Sequence, residues 1–203
     1  KIPLFTFGLH DADYSASGLE VNSSNIAGNI LAPNDALIPI DSALAPTHFN
    51  RYNIAACAAL AHSAGISVAS ISKGIHDLSE VPGRLTRVPN SLGFSVFVDF
   101  AHSGPKLRSV LSALKQICRG RLITVFGAGG DKDPMRRVKM GEAAAELAAI
   151  TIVTTDNPRS EDPEKIITAI VDSWEAHAKA LSSQGKLFVE ADRAKAIAKA
   201  LQI

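Results

Sequence analysis

The feature that most constrains the fold of this chain is a regular alternation of short apolar runs with amphipathic stretches from about Ser91 onward. Apolar runs of this length are typical of buried strands, and apolar residues at helical spacing are typical of helices that cover a sheet. Strands that alternate with helices form βαβ units around a parallel sheet. We therefore predict an α/β fold with strands at Phe94–Phe100, Arg121–Phe126, Ile150–Thr154 and Lys186–Glu190, and with helices at Lys106–Ile117, Met135–Ala148, Pro163–Ala180 and Arg193–Leu201.

The residues before about Asn90 follow a less regular pattern, in which Asn, Pro and Gly interrupt the apolar runs. A Pro-Asn-Ser segment just after Val88 separates the two patterns, so we predict two domains, residues 1–88 and residues 89–203. The predicted elements of the first part are strands at Leu4–Gly8, Gly18–Ser23 and Ala36–Ile40, and helices at Asn50–Ala64 and Val68–Leu78.

Composition and charge argue against several classes of function. A net charge of +1 is not that of a protein that binds nucleic acid through a basic face. No apolar run approaches the ~18 residues of a membrane span, and the first residues lack the layout of a secretory signal. Cys57 and Cys118 lie far apart and are interpreted as small core residues. We expect a cytoplasmic monomer with no nucleic-acid or membrane partner.

Polar residues collect where the predicted strands end. Ligands of open parallel sheets bind beyond the carboxyl ends of the strands, so these residues are candidates for one shared site. Helix capping is an alternative role for some of them, namely Ser103, Asp133 and Asp162, which precede Pro or Gly-Pro. Capping does not account for His102, Arg137, Asn157 and Arg159.

The glycine-rich segment Gly127–Lys132 resembles a phosphate-binding loop only superficially. It fits neither G-x-G-x-x-G nor a Walker A loop, and we interpret it as a tight turn from strand to helix. The histidines show no metal-ligand spacing, so we predict no metal site in this chain. Structural or solvated roles are expected for His10, His62, His76 and His177.

Six segments, in this order, resemble the Mur ligases of bacterial peptidoglycan synthesis: HFNRYNIAACAAL, VPGRLTRV, VDFAHSGPKL, VFGAGGDKDPMRRVKMG, TTDNPRSEDP and ADRAKAI. The resemblance is strongest to members that add meso-diaminopimelate to UDP-N-acetylmuramoyl-L-alanyl-D-glutamate. It implies the second half of a central ATPase domain, followed by most of a C-terminal Rossmann-like domain. The Walker A loop and the main catalytic residues would then lie in a preceding part of a longer protein, and this piece alone would be inactive.

The resemblance also implies a chemistry with two cofactors, ATP and Mg²⁺. ATP would phosphorylate the D-glutamyl carboxylate, and the amine of meso-diaminopimelate would then displace the phosphate. Alternatives within the superfamily are a lysine-adding Mur ligase and a folylpolyglutamate synthase. A non-catalytic nucleotide-binding module is an alternative from another class.

Residues that match the family's nucleotide contacts are Asn50, Asn53, Arg84, Asp99 and His102. Amide side chains suit base edges, which need one donor and one acceptor. An alternative role for Asn50 and Asn53 is to cap the helix that begins there. A buried ion pair between Asp99 and Arg84 is a further alternative.

The segment Asp156-Asn157-Pro158-Arg159, together with Arg137, matches the contacts to meso-diaminopimelate. An arginine can bind a carboxylate through two parallel N–H···O bonds, and this substrate carries a second carboxylate that lysine lacks. Pro158 would stiffen the turn so that Arg159 points toward the strand exit. The alternative is that Arg159 only pairs with Glu161 or Asp162 at the surface.

Overall fold

The computed structural model describes residues 4–22, 25–181 and 183–203. The chain divides into two compact units, Lys1–Phe100 and Ala101–Ile203. This division falls somewhat later than the boundary predicted between residues 88 and 89. The assignment of the two parts to an ATPase domain and a ligase domain stays a prediction.

A four-stranded sheet covered by two helices forms the core of the first unit. The strands, in the sheet order β1-β2-β3-β4, are parallel between β1 and β2 and antiparallel elsewhere. Burial alternates along β4, as expected when one face of an antiparallel sheet packs on helices and the other is exposed. The elements are β1 Phe7–Gly8, β2 Tyr14–Val21, β3 Ile26–Leu31, β4 Leu37–Ser42, α1 His48–Ser63 and α2 Val68–Asp77.

Strand β3 was not predicted, because glycine and asparagine interrupt its apolar residues. Gly28 has a φ of 132° and lies opposite Leu19, and a side chain there would collide with the backbone of Gly18. The glycine therefore permits a close approach of two strands, which a search for alternating residues does not detect. The strand predicted at Gly18–Ser23 is the second half of β2, and its last residue lies outside the described residues.

The strand predicted at Phe94–Phe100 is shorter than expected and has a different partner. It forms β6, Val96–Val98, which pairs antiparallel with β5, Thr86–Val88. The expectation that it begins the parallel sheet was therefore wrong. Apolar sequence predicts a strand, but its partner is decided by the pairing register, here Arg87 opposite Phe97.

The second unit is a parallel sheet in the order β7-β8-β9, so the predicted α/β fold is confirmed. The central strand β8 is buried along its whole length, because it has a strand on each side and packs against helices. The helices α3, α4 and α5 pack side by side, and α6 packs across β7 and β8. The elements are α3 Gly104–Ile117, β7 Ile123–Phe126, α4 Met135–Leu147, β8 Ile150–Val153, α5 Pro163–Ala180, β9 Lys186–Val189 and α6 Arg193–Gln202.

Carboxylates at the carboxyl end of this sheet fix where three helices begin. Asp162 caps α5 by accepting the N–H of Glu164, which confirms its predicted role. Asp133 lies one residue before the N-cap of α4 and still accepts the N–H of Met135 at 3.0 Å. Asp192 caps α6. These bonds satisfy backbone donors that a helix leaves unpaired, and so they hold the loops that precede each helix.

Ser103 and the cysteines differ from expectation. Ser103 stands at the N-cap position of α3, but its side chain makes no capping bond. Cys57 is exposed, because Ile54 and Ala58 occupy the buried face of α1 and residue 57 falls outside it. Cys118 is half-buried at the end of α3. Both cysteines were predicted to lie in a core, and that prediction was wrong.

No helix in the described part of the chain is long and apolar enough to cross a membrane.

Candidate functional site

Three loops meet beyond the carboxyl ends of the parallel strands. The loop after β7 bonds to the loop after β8 through the N–H of Gly130 and the carbonyl of Asn157, at 2.9 Å. The loop after β8 bonds in turn to the loop after β9, because the Thr155 hydroxyl donates to the Ala191 carbonyl at 2.7 Å. Arg193 adds a bond to the Thr155 carbonyl at 3.0 Å. The strand exits therefore form one connected surface, as the topology predicts.

Two glycines make the close approach of the first two loops possible. A β-carbon at Gly130 would overlap with the carbonyl oxygen of Pro158 and lie 2.7 Å from its carbonyl carbon. A β-carbon at Gly127 would lie 2.9 Å from the backbone nitrogen of Asp156. By contrast, the nearest atom to a β-carbon at Gly129 would be 3.6 Å away. Glycine is therefore required at Gly127 and Gly130 for packing of one loop on the other, which accords with the interpretation as a tight turn.

Arg159 occupies an uncommon backbone conformation at the tip of the second loop. Its φ is +52°, in the left-handed region that few residues other than glycine adopt. The turn is closed by the N–H of Glu161, which donates to the Pro158 carbonyl at 3.0 Å. The exposed Arg159 guanidinium donates to the Gly130 carbonyl at 2.5 Å. Among the described residues Arg159 forms no ion pair with a carboxylate, so the alternative pairing with Glu161 or Asp162 is not found.

Glu161 pairs instead with Arg137, which extends from the first turn of α4. The Arg137 Nη2 atom lies 2.6 Å from the Glu161 Oε1 atom, and Arg137 is only 6% exposed. The same oxygen accepts the N–H of Asp131 at 2.5 Å. These two donors, Arg137 first, lower the pKa of Glu161 below its usual value. The buried Nε atom of Arg137 has no hydrogen-bond partner in the described part of the chain.

Asp131, in the loop after β7, forms a second link to the loop after β8 by bonding to Ser160. Its carboxylate accepts the hydroxyl of Ser160 at 2.6 Å and the N–H of Ser160 at 3.4 Å. The Ser160 hydroxyl is the main reason that the pKa of Asp131 is lowered. Asp131 also has a positive φ, +53°. Sequence reasoning missed Asp131, Ser160 and Glu161 as site residues, and the only signal was their position at two neighbouring strand exits.

The other three members of the predicted diaminopimelate-binding segment are exposed or half-buried. Asp156 and Asn157 are exposed, and Pro158 is half-buried. Asn157 contributes its backbone carbonyl to the bond with Gly130, and the residue itself is exposed. The structure therefore brings Asn157, Pro158 and Arg159 against the glycine-rich loop.

In the first unit, the predicted nucleotide-binding asparagines bond to each other. The Asn53 Nδ2 atom donates to the Asn50 Oδ1 atom at 3.2 Å, and Asn50 donates to the Ala45 carbonyl at 2.9 Å. Asn50 is buried and Asn53 is exposed. Capping of α1 is done by Thr47, whose hydroxyl accepts the N–H of Asn50. The alternative that the two asparagines cap this helix is therefore wrong.

The remaining residues predicted to bind nucleotide lie on either side of the division between the units. Asp99 accepts the N–H of Leu85 at 2.8 Å in the first unit, and Arg84 is exposed. His102 belongs to the second unit, where its Nε2 atom lies 3.5 Å from the Lys106 Nζ atom. The nucleotide-binding roles of all five residues stay predictions.

No group of three or more His, Cys, Asp or Glu residues that could hold a metal ion is found within residues 4–22, 25–181 and 183–203.

A parallel sheet with polar loops joined at its carboxyl edge defines the class of α/β domains that bind ligands at the strand exits. Residues 83–203 match the family model described as the glutamate ligase domain of Mur ligases. The chain belongs to the Mur ligase family.

Two curated relatives are ligases named for the addition of 2,6-diaminopimelate to UDP-N-acetylmuramoyl-L-alanyl-D-glutamate. The protein of Geobacter sulfurreducens is 41% identical over 170 residues, which cover 83% of this chain and 33% of that protein. The protein of Streptomyces coelicolor is 37% identical over 203 residues, which cover 98% of this chain and 40% of that protein. The chain thus spans between a third and two fifths of the length of these relatives.

Two solved structures share the fold. Folylpolyglutamate synthase of Mycobacterium tuberculosis, solved in complex with ADP, superposes with a TM-score of 0.74 at 18% identity. That match covers 95% of this chain and 41% of the synthase. UDP-N-acetylmuramate-alanine ligase of Thermotoga maritima superposes with a TM-score of 0.68 at 18% identity and covers 98% of this chain and 47% of the ligase. At these identities the likeness concerns the fold.

Proposed function

We propose that this chain is part of an ATP-dependent amide ligase that adds meso-diaminopimelate to UDP-N-acetylmuramoyl-L-alanyl-D-glutamate in peptidoglycan synthesis. The observation that carries the proposal is the Arg159 turn, in which an exposed arginine has no carboxylate partner within the described residues. The names of the curated relatives supply the substrate class. A cytoplasmic location is proposed with the function, because nucleotide-linked substrates of this kind are used there.

ATP and Mg²⁺ are proposed as the cofactors of the complete protein. When bound, ATP would supply a phosphoryl group that converts the D-glutamyl carboxylate into an acyl phosphate, a better electrophile than a carboxylate. Asn53 suits a contact to the base, because it is exposed and its side-chain oxygen makes no hydrogen bond within the described residues. Asn50 would support it, since its own amide is already bonded to Asn53 and Ala45.

Exposed Arg84 and the neighbouring Asp99 are proposed to meet the phosphates and ribose of the nucleotide. A nucleotide-binding role is proposed for His102 as well, from the family motif that it matches. The described residues offer no cluster of metal ligands, so Mg²⁺ would be held mainly by the nucleotide phosphates and other parts of the protein.

Arg159 is proposed to bind the second carboxylate of meso-diaminopimelate through parallel N–H···O bonds. Its bond to the Gly130 carbonyl holds the guanidinium in place while other N–H groups stay available. Exposed Asp156 and Asn157 are proposed to contact the ammonium and carboxylate groups of the same amino acid. Pro158 would keep the turn rigid, and Arg137 would contribute its buried Nε–H group, which has no hydrogen-bond partner within the described residues.

The proposal is tested with Arg159→Ala in the full-length gene product that carries this sequence. Loss of a hydrogen-bonded charge should raise KM for meso-diaminopimelate by roughly 10- to 100-fold. KM for ATP should stay nearly unchanged. For Arg159→Lys, KM for meso-diaminopimelate should lie between the values of the parent and of Arg159→Ala, because lysine keeps the charge without the two parallel donors. Arg119→Ala is the matched control, since Arg119 is exposed in the segment before β7, at the other end of that strand.

An Arg159→Ala variant that adds meso-diaminopimelate as efficiently as the parent would refute the recognition role. A parent protein that prefers L-lysine would instead favour the lysine-adding alternative. A parent that forms no amide bond with either amino acid would refute the proposed ligase.

A further inference from the structure

Glu161 is the residue through which the Arg159 turn is tied to the rest of the site. It ends the turn by donating its backbone N–H to the Pro158 carbonyl. Its side chain leaves the turn and places one oxygen between the N–H of Asp131, at 2.5 Å, and the guanidinium of Arg137, at 2.6 Å. A single carboxylate thus joins the loop after β7, the first turn of α4 and the loop after β8.

The contact is reciprocal, which distinguishes it from an ordinary surface ion pair. The Glu161 carboxylate accepts a backbone N–H from the first loop, and the Asp131 carboxylate accepts a backbone N–H from the second. Asp131 and Arg159 both adopt positive φ values that are uncommon for residues other than glycine. Such conformations persist where surrounding contacts hold them. The paired carboxylates supply those contacts.

Arg137 and Arg159 differ in what remains available to a ligand. Arg137 is buried and its charge is balanced by Glu161, whereas Arg159 is exposed and bonds only a carbonyl oxygen within the described residues. Of these two arginines, Arg159 is therefore the one that forms no ion pair with a carboxylate within the described residues. Glu161 accounts for this difference, because it bonds one arginine and shapes the turn that carries the other.

We propose that Glu161 is a positioning residue: it does not contact the substrate, and it fixes Arg137 and the left-handed turn so that Arg159 meets the substrate's second carboxylate. This inference rests on the proposed function for its substrate. Glu161 thereby supports the discrimination between an amino acid with a second carboxylate and one without. The discrimination depends on the orientation of the Arg159 guanidinium, because two parallel hydrogen bonds to a carboxylate tolerate little angular error.

The test uses Glu161→Ala and Glu161→Gln in the full-length gene product, with Glu175→Ala as the control. Glu175 is an exposed glutamate on α5, so this variant makes the same change in charge away from the loops. Glutamine retains an oxygen that can accept both N–H groups but lacks the charge. Folding of each variant is checked by circular dichroism and by the midpoint of urea unfolding, each compared with that of the parent.

Glu161→Ala should raise KM for meso-diaminopimelate by about tenfold or more, since hydrogen bonds to charged groups are worth at least that factor. The ratio of kcat/KM for meso-diaminopimelate to that for L-lysine should fall by a similar factor. KM for ATP and for the UDP-linked substrate should change by less than about twofold. Glu161→Gln should show part of the same selective loss, and it carries the test alone if Glu161→Ala does not fold.

An unchanged KM for meso-diaminopimelate in the folded variants would overturn the proposal. A lower KM would also overturn it, because it would mean that Glu161 competes with the substrate for Arg137. Equal losses for every substrate would show a purely structural role. The failure of the proposed function looks different, since the parent itself would then form no amide bond with meso-diaminopimelate.

Discussion

The substitution Gly130→Ala tests most directly whether the two loops must lie as close together as the structure shows. The added methyl group would overlap with the Pro158 carbonyl oxygen, and it cannot turn away because its direction is set by the backbone. Relief requires that the loops separate. Separation would stretch the bond from the Gly130 N–H to the Asn157 carbonyl and the bond from Arg159 to the Gly130 carbonyl.

The expected loss of stability is about 2 to 6 kcal/mol. Overpacking of a well-packed site costs ~1–3 kcal/mol, and each weakened hydrogen bond adds ~0.5–1.5 kcal/mol. For a unit of this size, a loss of 2 kcal/mol lowers the melting temperature by roughly 8–16 °C. Gly129→Ala is the matched control, because its methyl group would stay 3.6 Å from the nearest atom. We expect that control to lie within about 0.5 kcal/mol of the parent.

Trp174 provides the assay for this comparison. It is the only tryptophan of the chain, and its indole N–H donates to the Thr151 hydroxyl at 3.1 Å inside the second unit. Its fluorescence during urea or thermal unfolding therefore reports on that unit. If Gly130→Ala and Gly129→Ala have the same unfolding midpoint, then the two loops do not pack as closely as described, and glycine is not required at position 130.

Two further predictions concern the core and the helices of the second unit. Thr151→Val should lower the free energy of unfolding by about 1–3 kcal/mol, because the buried Trp174 indole N–H would lose its acceptor; an unchanged urea midpoint would contradict this. The hydrogen bond from Arg108 lowers the pKa of Glu146, so the stability it contributes is present above the unfolded pKa and lost as pH falls through the folded one. The difference in urea midpoint between the parent and Glu146→Gln should therefore shrink between about pH 6 and about pH 3, and a difference that is constant over this range would refute the linkage.

Local sequence predicted the parallel sheet well, because its strands carry strong signals of their own. Ile150–Val153 is apolar except for Thr151, and such a run between two helical stretches has few places other than the centre of a parallel sheet. The topological rule for ligand sites then placed the polar residues at one edge. Strand β6 shows the limit, because Val96–Val98 reads as a strand but carries no information about its partner.

The contacts within the site could not be predicted in the same way. Sequence showed several carboxylates and arginines in neighbouring loops, but not which of them pair. The pairing of Glu161 with Arg137, rather than with Arg159, depends on positive φ values at Arg159 and Asp131. Arginine gives no local signal for such a conformation and aspartate only a weak one, and the conformation is held by contacts between loops far apart in sequence. For this reason the family motifs pointed to Arg137 and Arg159, whereas Asp131 and Glu161, which hold the two loops together, could not be predicted.

The relative use of meso-diaminopimelate and L-lysine tests the central claim most directly. The full-length gene product is given ATP, Mg²⁺ and UDP-N-acetylmuramoyl-L-alanyl-D-glutamate, and kcat/KM for amide bond formation is measured with each amino acid. A site built around a charged partner rejects an analogue without it by ~10⁴-fold. We predict a preference of this order for meso-diaminopimelate, and comparable values for the two amino acids would contradict the role assigned to Arg159.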